Sequence, residues 1–423
     1  MVDSKGCAPT VTEAGGLKAP QVGTPASMRE LNQRIVLDRL RSGGAATRPG
    51  LAKDTGLSKP TVGQALLDLE QDGLVRPIGR TSAGPGRSAV LYEADPAAGH
   101  VLGVDIGRAR IRLAVADLAG TVVARVDEPN RCRSASALVR TVHELASRTA
   151  EQAGLGLSDL VATVVGSPGV PDRSSRILHY APNLPGWGRR GLLDELEEVL
   201  GPSLLVENDA NLSAVGERDR GAARGVDVFV CVNVGTGIGM GIVLDGKLFR
   251  GAHGAAGEVG YLPYGWTGED EGGWTPSAPG LLEEAAAANS VVALARERGL
   301  SGARSAREVF ALARAGDAGA LAVVEQEARR LAFLVASVSA VIDPELVVLG
   351  GGIGANTELL TGPMEQALRR IGPLFPRIVP GELGEDAVLT GAIATALRAA
   401  QEIVFDRRGG QAVTQRSELL VTD

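Results

Sequence analysis

The feature that most constrains this chain is a strand, loop, strand, turn unit that occurs twice. In the second copy, Val228 to Val234 is an apolar, β-branched run that reads as a buried strand. It breaks into Gly235-Thr236-Gly237-Ile238-Gly239, resumes at Met240 to Leu244, and meets Asp245-Gly246, a strong hairpin signal. In the first copy, Val101 to Arg125, a strand ends in Asp105-Ile106-Gly107, a second runs from Ile111 to Ala116, and a third follows a turn at Asp117 to Gly120. A glycine loop between strands leaves backbone N–H groups open to phosphate, but it also serves simply to make a tight turn. The repeat itself points to two related lobes facing each other across a cleft.

A chain of 423 residues with 44% hydrophobic content has room for two or three domains with real cores. Net charge is −7, yet residues 27–92 carry ten Lys/Arg against six Asp/Glu. A basic module on an acidic body suggests that one end meets a polyanion. Cys7, Cys132 and Cys231 lie far apart without metal spacing, which fits a reducing cytoplasm. No signal peptide is recognisable, and no apolar run approaches the roughly 20 residues that span a bilayer, so a cytoplasmic protein without membrane contact is expected.

Residues 1–26 are rich in Gly, Pro, Thr and Ala without periodicity and read as a disordered arm. From Met28 the pattern becomes helical: Leu31, Ile35, Val36 and Leu40 share a face, and Ser42-Gly43-Gly44 stops the helix. Arg48 to Thr55 makes a second short helix closed by Gly56, and Ser58 caps a third with Val62, Leu66 and Leu69 on one face. Helix, glycine turn, capped helix is a helix-turn-helix, whose second helix enters the major groove. Gly79 to Tyr92 reads as a wing hairpin, with Arg80 and Arg87 available to phosphate or the minor groove. Lys59, Thr61 and Gln64 are the expected base or phosphate readers. The competing reading is a small helical core with solvated charges.

In combination these motifs resemble the ROK family of repressors and sugar kinases, within the actin-like sugar-kinase superfamily, from about Met28 to Arg398. Ala52 to Val62, AKDTGLSKPTV, is similar to the winged helix-turn-helix of its regulators. Gly166-Ser167-Pro168-Gly169 resembles its G-x-P-G sugar loop, and Asn183 to Trp187 its N-x-x-x-W motif. Glu207-Asn208-Asp209-Ala210-Asn211 carries the aspartate that is the general base in family kinases. Gly235-Thr236-Gly237 matches the second phosphate loop, and Gly257-Glu258-Val259-Gly260 matches G-E-x-G. The resemblance implies sugar contacts from Asn183, Asn208, Asp209, Glu258 and Glu283, with Trp187 mainly a packing aromatic. Phosphate-loop positions are Asp105, Gly107, Gly235, Thr236 and Gly237.

The departures from the family pattern are equally specific. The first loop should read D-x-G-G-T, but here Arg108 and Ala109 follow Gly107, placing a long side chain where backbone must approach phosphate and removing a hydroxyl. The family's zinc ligands, one histidine and three cysteines, fall on Tyr261, Trp274, Pro276 and Leu281, so no zinc or other cofactor is expected. His253 is read as a loop residue.

The expected fold is therefore α/β: an N-terminal winged helix-turn-helix (27–95), a two-lobed actin-like, ribonuclease H-like body (99–400), and a flexible tail (401–423). The expected function is a DNA-binding transcriptional regulator, read as a repressor and not an enzyme. A homodimer or homotetramer would hold a double-stranded operator and answer to a sugar-like effector in the cleft. Two alternatives stand beside it: an ATP-dependent sugar kinase that kept a DNA-binding module, and a regulator whose cleft no longer takes sugar.

Overall fold

The computed structural model describes residues 25–81, 88–172, 175–180, 184–201, 203–267 and 279–407. The chain divides into two compact units, with the division between Asp95 and Pro96.

The N-terminal unit opens with α1 (Pro25–Gly43), which begins slightly ahead of the expected start at residue 27. β1 (Ala46–Thr47) leads into α2 (Arg48–Thr55), whose N-terminus is capped by Thr47 and which ends on Gly56 at φ 72°, a left-handed turn that glycine adopts without strain. α3 (Lys59–Gln71) follows, with the Ser58 hydroxyl accepting from the Thr61 N–H. β2 (Val75–Arg80) and β3 (Val90–Ala94) form a hairpin in which β1 also pairs, giving the order β1-β3-β2. Val36, Leu37, Leu40, Leu51, Val62, Leu66 and Leu69 make the shared core. Asp68 is buried on α3 and accepts hydrogen bonds from Arg29, Gln33 and Gln64. The Arg29 guanidinium holds its carboxyl down at about 2.

The second unit holds two five-stranded sheets of the same topology. In the first, β4 (His100–Ile106), β5 (Arg110–Asp117) and β6 (Val122–Pro129) run as an antiparallel meander. α4 (Ala135–Gln152) crosses to β7 (Leu160–Ser167), parallel to β4. A small hairpin, β8 (Val170–Asp172) and β9 (Ile177–His179), and α5 (Leu192–Leu200) precede β10 (Leu204–Asn208), parallel to β7. α6 (Asp209–Arg220) starts directly from the end of β10.

The second sheet repeats the plan. β11 (Phe229–Val234), β12 (Ile238–Leu244) and β13 (Lys247–Leu248) form the meander, turning at Asp245 and Gly246, both at positive φ. A helical run follows: α7 (Leu281–Ala286), α8 (Ala288–Glu297), α9 (Ala306–Arg314) and α10 (Ala318–Ile342). Then β14 (Leu346–Gly350), the short α11 (Gly351–Gly354), α12 (Thr357–Ile371) and β15 (Arg377–Pro380) complete the sheet. The strand orders are β6-β5-β4-β7-β10 and β13-β12-β11-β14-β15, so the duplicated motif extends from one hairpin to a whole mixed sheet.

α13 (Ala387–Arg407) closes the chain, packing on β4 and β7 and crossing α6. The crossing is tight because each helix has a glycine there. A Cβ on Gly391 would sit 1.9 Å from the Leu212 carbonyl oxygen, and one on Gly216 would sit 2.3 Å from that of Ala387. Two expectations change here. The last helix does not stop near residue 400: it runs to Arg407 because Ile403 and Phe405 are still buried. The segment Gly384–Arg407 is also long and apolar enough to cross a bilayer, contrary to the reading that no run approaches that length. Its apolar residues face the first sheet and α6, as in a core helix.

Candidate functional site

Because β4, β7 and β10 are parallel, their carboxyl ends lie side by side and bring Asp105, Gly166 and Glu207 into one register row. Open α/β sheets bind ligands at that edge. Asp209, the first residue of α6, lies just beyond it. The Asn208 side chain caps α6, accepting from the Ala210 and Asn211 N–H groups, and its amide donates to the Gly169 carbonyl at 3.1 Å. Its local task is therefore to fix the Asp209 backbone and the 166–169 loop together.

Asp209, Glu258 and Glu283 act on one another electrostatically, with Tyr261 beside them. Burial pushes Glu258 up to about 7, and the charges of Asp209 and Glu283 add to it. Asp209 is raised chiefly by desolvation, against the Ala210 N–H that holds its carboxylate. Glu283, raised by burial, accepts from the Ile238 N–H at 3.0 Å, and this bond places it against the glycine loop. Gly237 is glycine for that reason: a Cβ there would meet the Glu283 carboxylate at 2.7 Å. Burial also raises Tyr261, helped by Glu258 and Glu283, and its ring packs edge-on against Tyr180 at 5.6 Å.

The two loops that open the duplicated sheets differ. Gly235-Thr236-Gly237 exposes Thr236 and approaches the Gly350-Gly351-Gly352 turn, where Gly351 at φ 77° lies over the Val234 carbonyl. In the first loop the Gly107 N–H donates to the Arg110 carbonyl, and Arg108 and Ala109 are exposed. Asp105 is 5% exposed and bound by Arg112 at 3.1 Å from the facing position on β5. Arg112 also reaches Asp127 and Glu385. Desolvation outweighs this guanidinium, and the Asp105 carboxyl rises to about 7. Arg112 carries no motif signal; its place opposite Asp105 is visible only once the register is known.

Trp187 is buried and donates to the Ser167 hydroxyl at 2.6 Å, which makes it a brace for the 166–169 loop. Asn183, Trp274 and Pro276 lie outside the described residues, as does Arg87. Tyr261 and Leu281, at two of the positions where zinc ligands were weighed, offer no thiolate or imidazole, and zinc takes Cys, His or carboxylate donors. Among the described residues no group of three or more His, Cys, Asp or Glu is arranged to hold a metal ion.

On the N-terminal unit, Lys59 and Gln64 are exposed on α3, and Thr61 is half-buried with its hydroxyl on that of Ser58. Gln64 donates to Asp68 at 2.9 Å. Arg48 lies over Gly63, where a Cβ would collide with its guanidinium, and donates to the Lys59 carbonyl. This basic side chain on the α3 surface was missed in the sequence, since only folding brings residue 48 across residue 63. Arg80 is held to Ser88 across the β2–β3 hairpin.

The sequence model of the ROK family matches residues 101–399. The chain belongs to the ROK family. A glucokinase of Halalkalibacterium halodurans is 31% identical over 69% of this chain and 92% of its own length. A xylose repressor of Bacillus subtilis is 26% identical over 86% of this chain and 94% of its own. A crystal structure of a ROK family transcriptional regulator, a homolog of the E. coli MLC protein, superimposes with a TM-score of 0.69 at 23% identity, covering 90% of this chain and 97% of the other. A ROK family glucokinase from Streptomyces griseus, in complex with glucose and AMPPNP, gives 0.60 at 29% identity, covering 70% and 99%.

Proposed function

We propose that this ROK protein is a DNA-binding transcriptional regulator, acting as a repressor, whose body takes a sugar or sugar derivative. The observation that carries the reading is the extent of the likenesses. The xylose repressor extends over 86% of this chain, whereas the glucokinase accounts for nearly all of its own length within 69% of it. What the glucokinase leaves over is enough to contain the N-terminal unit. That unit has two helices joined at a left-handed glycine, a capped second helix with exposed polar residues, and a hairpin, which fits a winged helix-turn-helix. Lys59, Thr61, Gln64, Arg80 and Arg87 are its assigned DNA contacts, with Arg48 added. A homodimer or homotetramer would present such units in pairs to a pseudo-palindromic operator.

In the body, Asn183, Asn208, Asp209, Glu258 and Glu283 are assigned to the sugar. Buried carboxyl groups with raised pKa values suit hydrogen bonding to hydroxyls, since each can accept and, when protonated, donate. The ligand acts by binding open and closed bodies with different affinity. Zinc is not part of this reading, and stoichiometric zinc in chelator-washed protein would overturn that point. Gel-shift titration of the full chain on its own promoter region tests the whole, with retarded complexes released by sugar as the expected result and no shift at moderate salt as the refuting one.

The 31% identity to a glucokinase favours a second reading, a sugar kinase with Asp209 as general base and Asp105, Gly107, Gly235, Thr236 and Gly237 toward nucleotide phosphates. Exposed Arg108 and Ala109 in the first loop weigh against it. ADP release across a panel of sugars, lost on Asp209→Asn, would establish it instead.

A further inference from the structure

Beside the carboxyl cluster lies a cavity of about 640 Å³, within the range that holds drug-sized ligands and larger than one pyranose ring needs. Its walls are Val170 and Pro171 of β8, Tyr180, Glu207, and the 250–255 loop with Arg250 and His253. Asp209, Glu258 and Glu283 are not among its lining residues, so it is space additional to the hydroxyl-binding cluster.

Two connections join the spaces. Tyr180 lines the cavity and packs its ring on Tyr261, which stands among Glu258 and Glu283. Glu207 faces the cavity only two residues before Asp209 in the same strand-to-helix junction. Tyr180 also holds φ at 56°, a conformation uncommon outside glycine, which persists where surrounding structure imposes it.

The polar inventory selects the ligand's charge. Arg250 is already committed to buried Glu207 at 2.7 Å, and Asp172 adds a second carboxylate beside His179. Two carboxylates against one paired guanidinium repel a phosphorylated sugar. Aromatic faces at Tyr180 and His179, with apolar Val170 and Pro171, suit the C–H face of a neutral saccharide.

We infer that the cavity is a second saccharide subsite, so that the effector is a neutral disaccharide or a sugar with a neutral, sugar-sized substituent, its first ring on the carboxyl cluster and its second against Tyr180. This rests on the reading that the cluster takes a sugar.

Calorimetric titration of the full chain tests it, with glucose, galactose and xylose set against maltose, cellobiose, lactose and sucrose, and glucose 6-phosphate as the charged probe. One neutral disaccharide is expected to bind at least about tenfold tighter than any monosaccharide. Ala252 is exposed on the cavity rim, and Ala252→Trp should erase that advantage while monosaccharide binding is retained. Should that variant unfold, Tyr180→Ala gives the same loss of preference. Monosaccharides binding as tightly as disaccharides, with both variants silent, or glucose 6-phosphate binding tightest, would overturn the subsite alone. Binding of no saccharide at all would remove both the subsite and the sugar reading beneath it.

Discussion

The two sheets of the body share strand order and strand sense, but their first loops have taken opposite chemical paths. Around Asp105 the meander fills its own edge with charge: Arg112 faces Asp105 across β4 and β5, reaches Asp127 on β6, and meets Glu385 ahead of α13. Around Gly235 the same place in the repeat is kept nearly without side chains, and its one close carboxylate, Glu283, arrives from α7 to take the Ile238 N–H. A duplicated scaffold thus fixes where an edge lies, while single residues decide whether it is closed by an internal ion pair or left open for something else.

The largest expected effect breaks the closed copy. Arg112→Met should cost about 3–5 kcal/mol, because it leaves Asp105 buried without its cation. The loss should be greater at pH 8 than at pH 6, where the carboxyl is already protonated, and denaturant unfolding at both values measures it. Breaking the open copy costs less. Gly237→Ala pushes a methyl into the Glu283 carboxylate, so about 1–3 kcal/mol of stability and most sugar affinity should go, as thermal unfolding and calorimetry would record. A full-affinity Gly237→Ala protein would remove Glu283 from the sugar site.

Making the first loop resemble the second sharpens the contrast. Arg108→Gly with Ala109→Thr should raise affinity for ATP by about tenfold, or 1.4 kcal/mol, in a fluorescent-nucleotide displacement assay. Equal affinity before and after would mean that this loop does not govern nucleotide binding. The smallest effect concerns pH. Asp105 and Glu258 both titrate near 7 when folded, well above the ordinary carboxylate range. Between that range and pH 7 the folded state holds protons the unfolded chain has released, so stability falls as pH rises through 7. Glu258→Gln should flatten this decline and raise Tm at pH 8 by about 2–4 °C, with little change at pH 5. A parallel curve for the variant would assign the slope to the Asp105 copy.

The sequence by itself carried the repeated meander, the Ser58 cap, the Gly56 turn and the family membership, because these depend on local periodicity and on residue types at short fixed spacing. It also singled out Asp209, Glu258 and Glu283, which only the fold gathers into one electrostatic group. Tertiary structure alone decided the rest. Arg112 with Asp105, Arg250 with Glu207, Arg48 over Gly63 and the cavity beside Tyr180 each join residues whose meeting depends on strand register or on loops brought together. The extension of α13 to Arg407 belongs with them, since Ile403 and Phe405 are held in the helix by burial against partners distant in the chain. Local backbone preference is written in neighbouring residues, but side-chain pairing and burial are set by which surfaces the fold brings into contact.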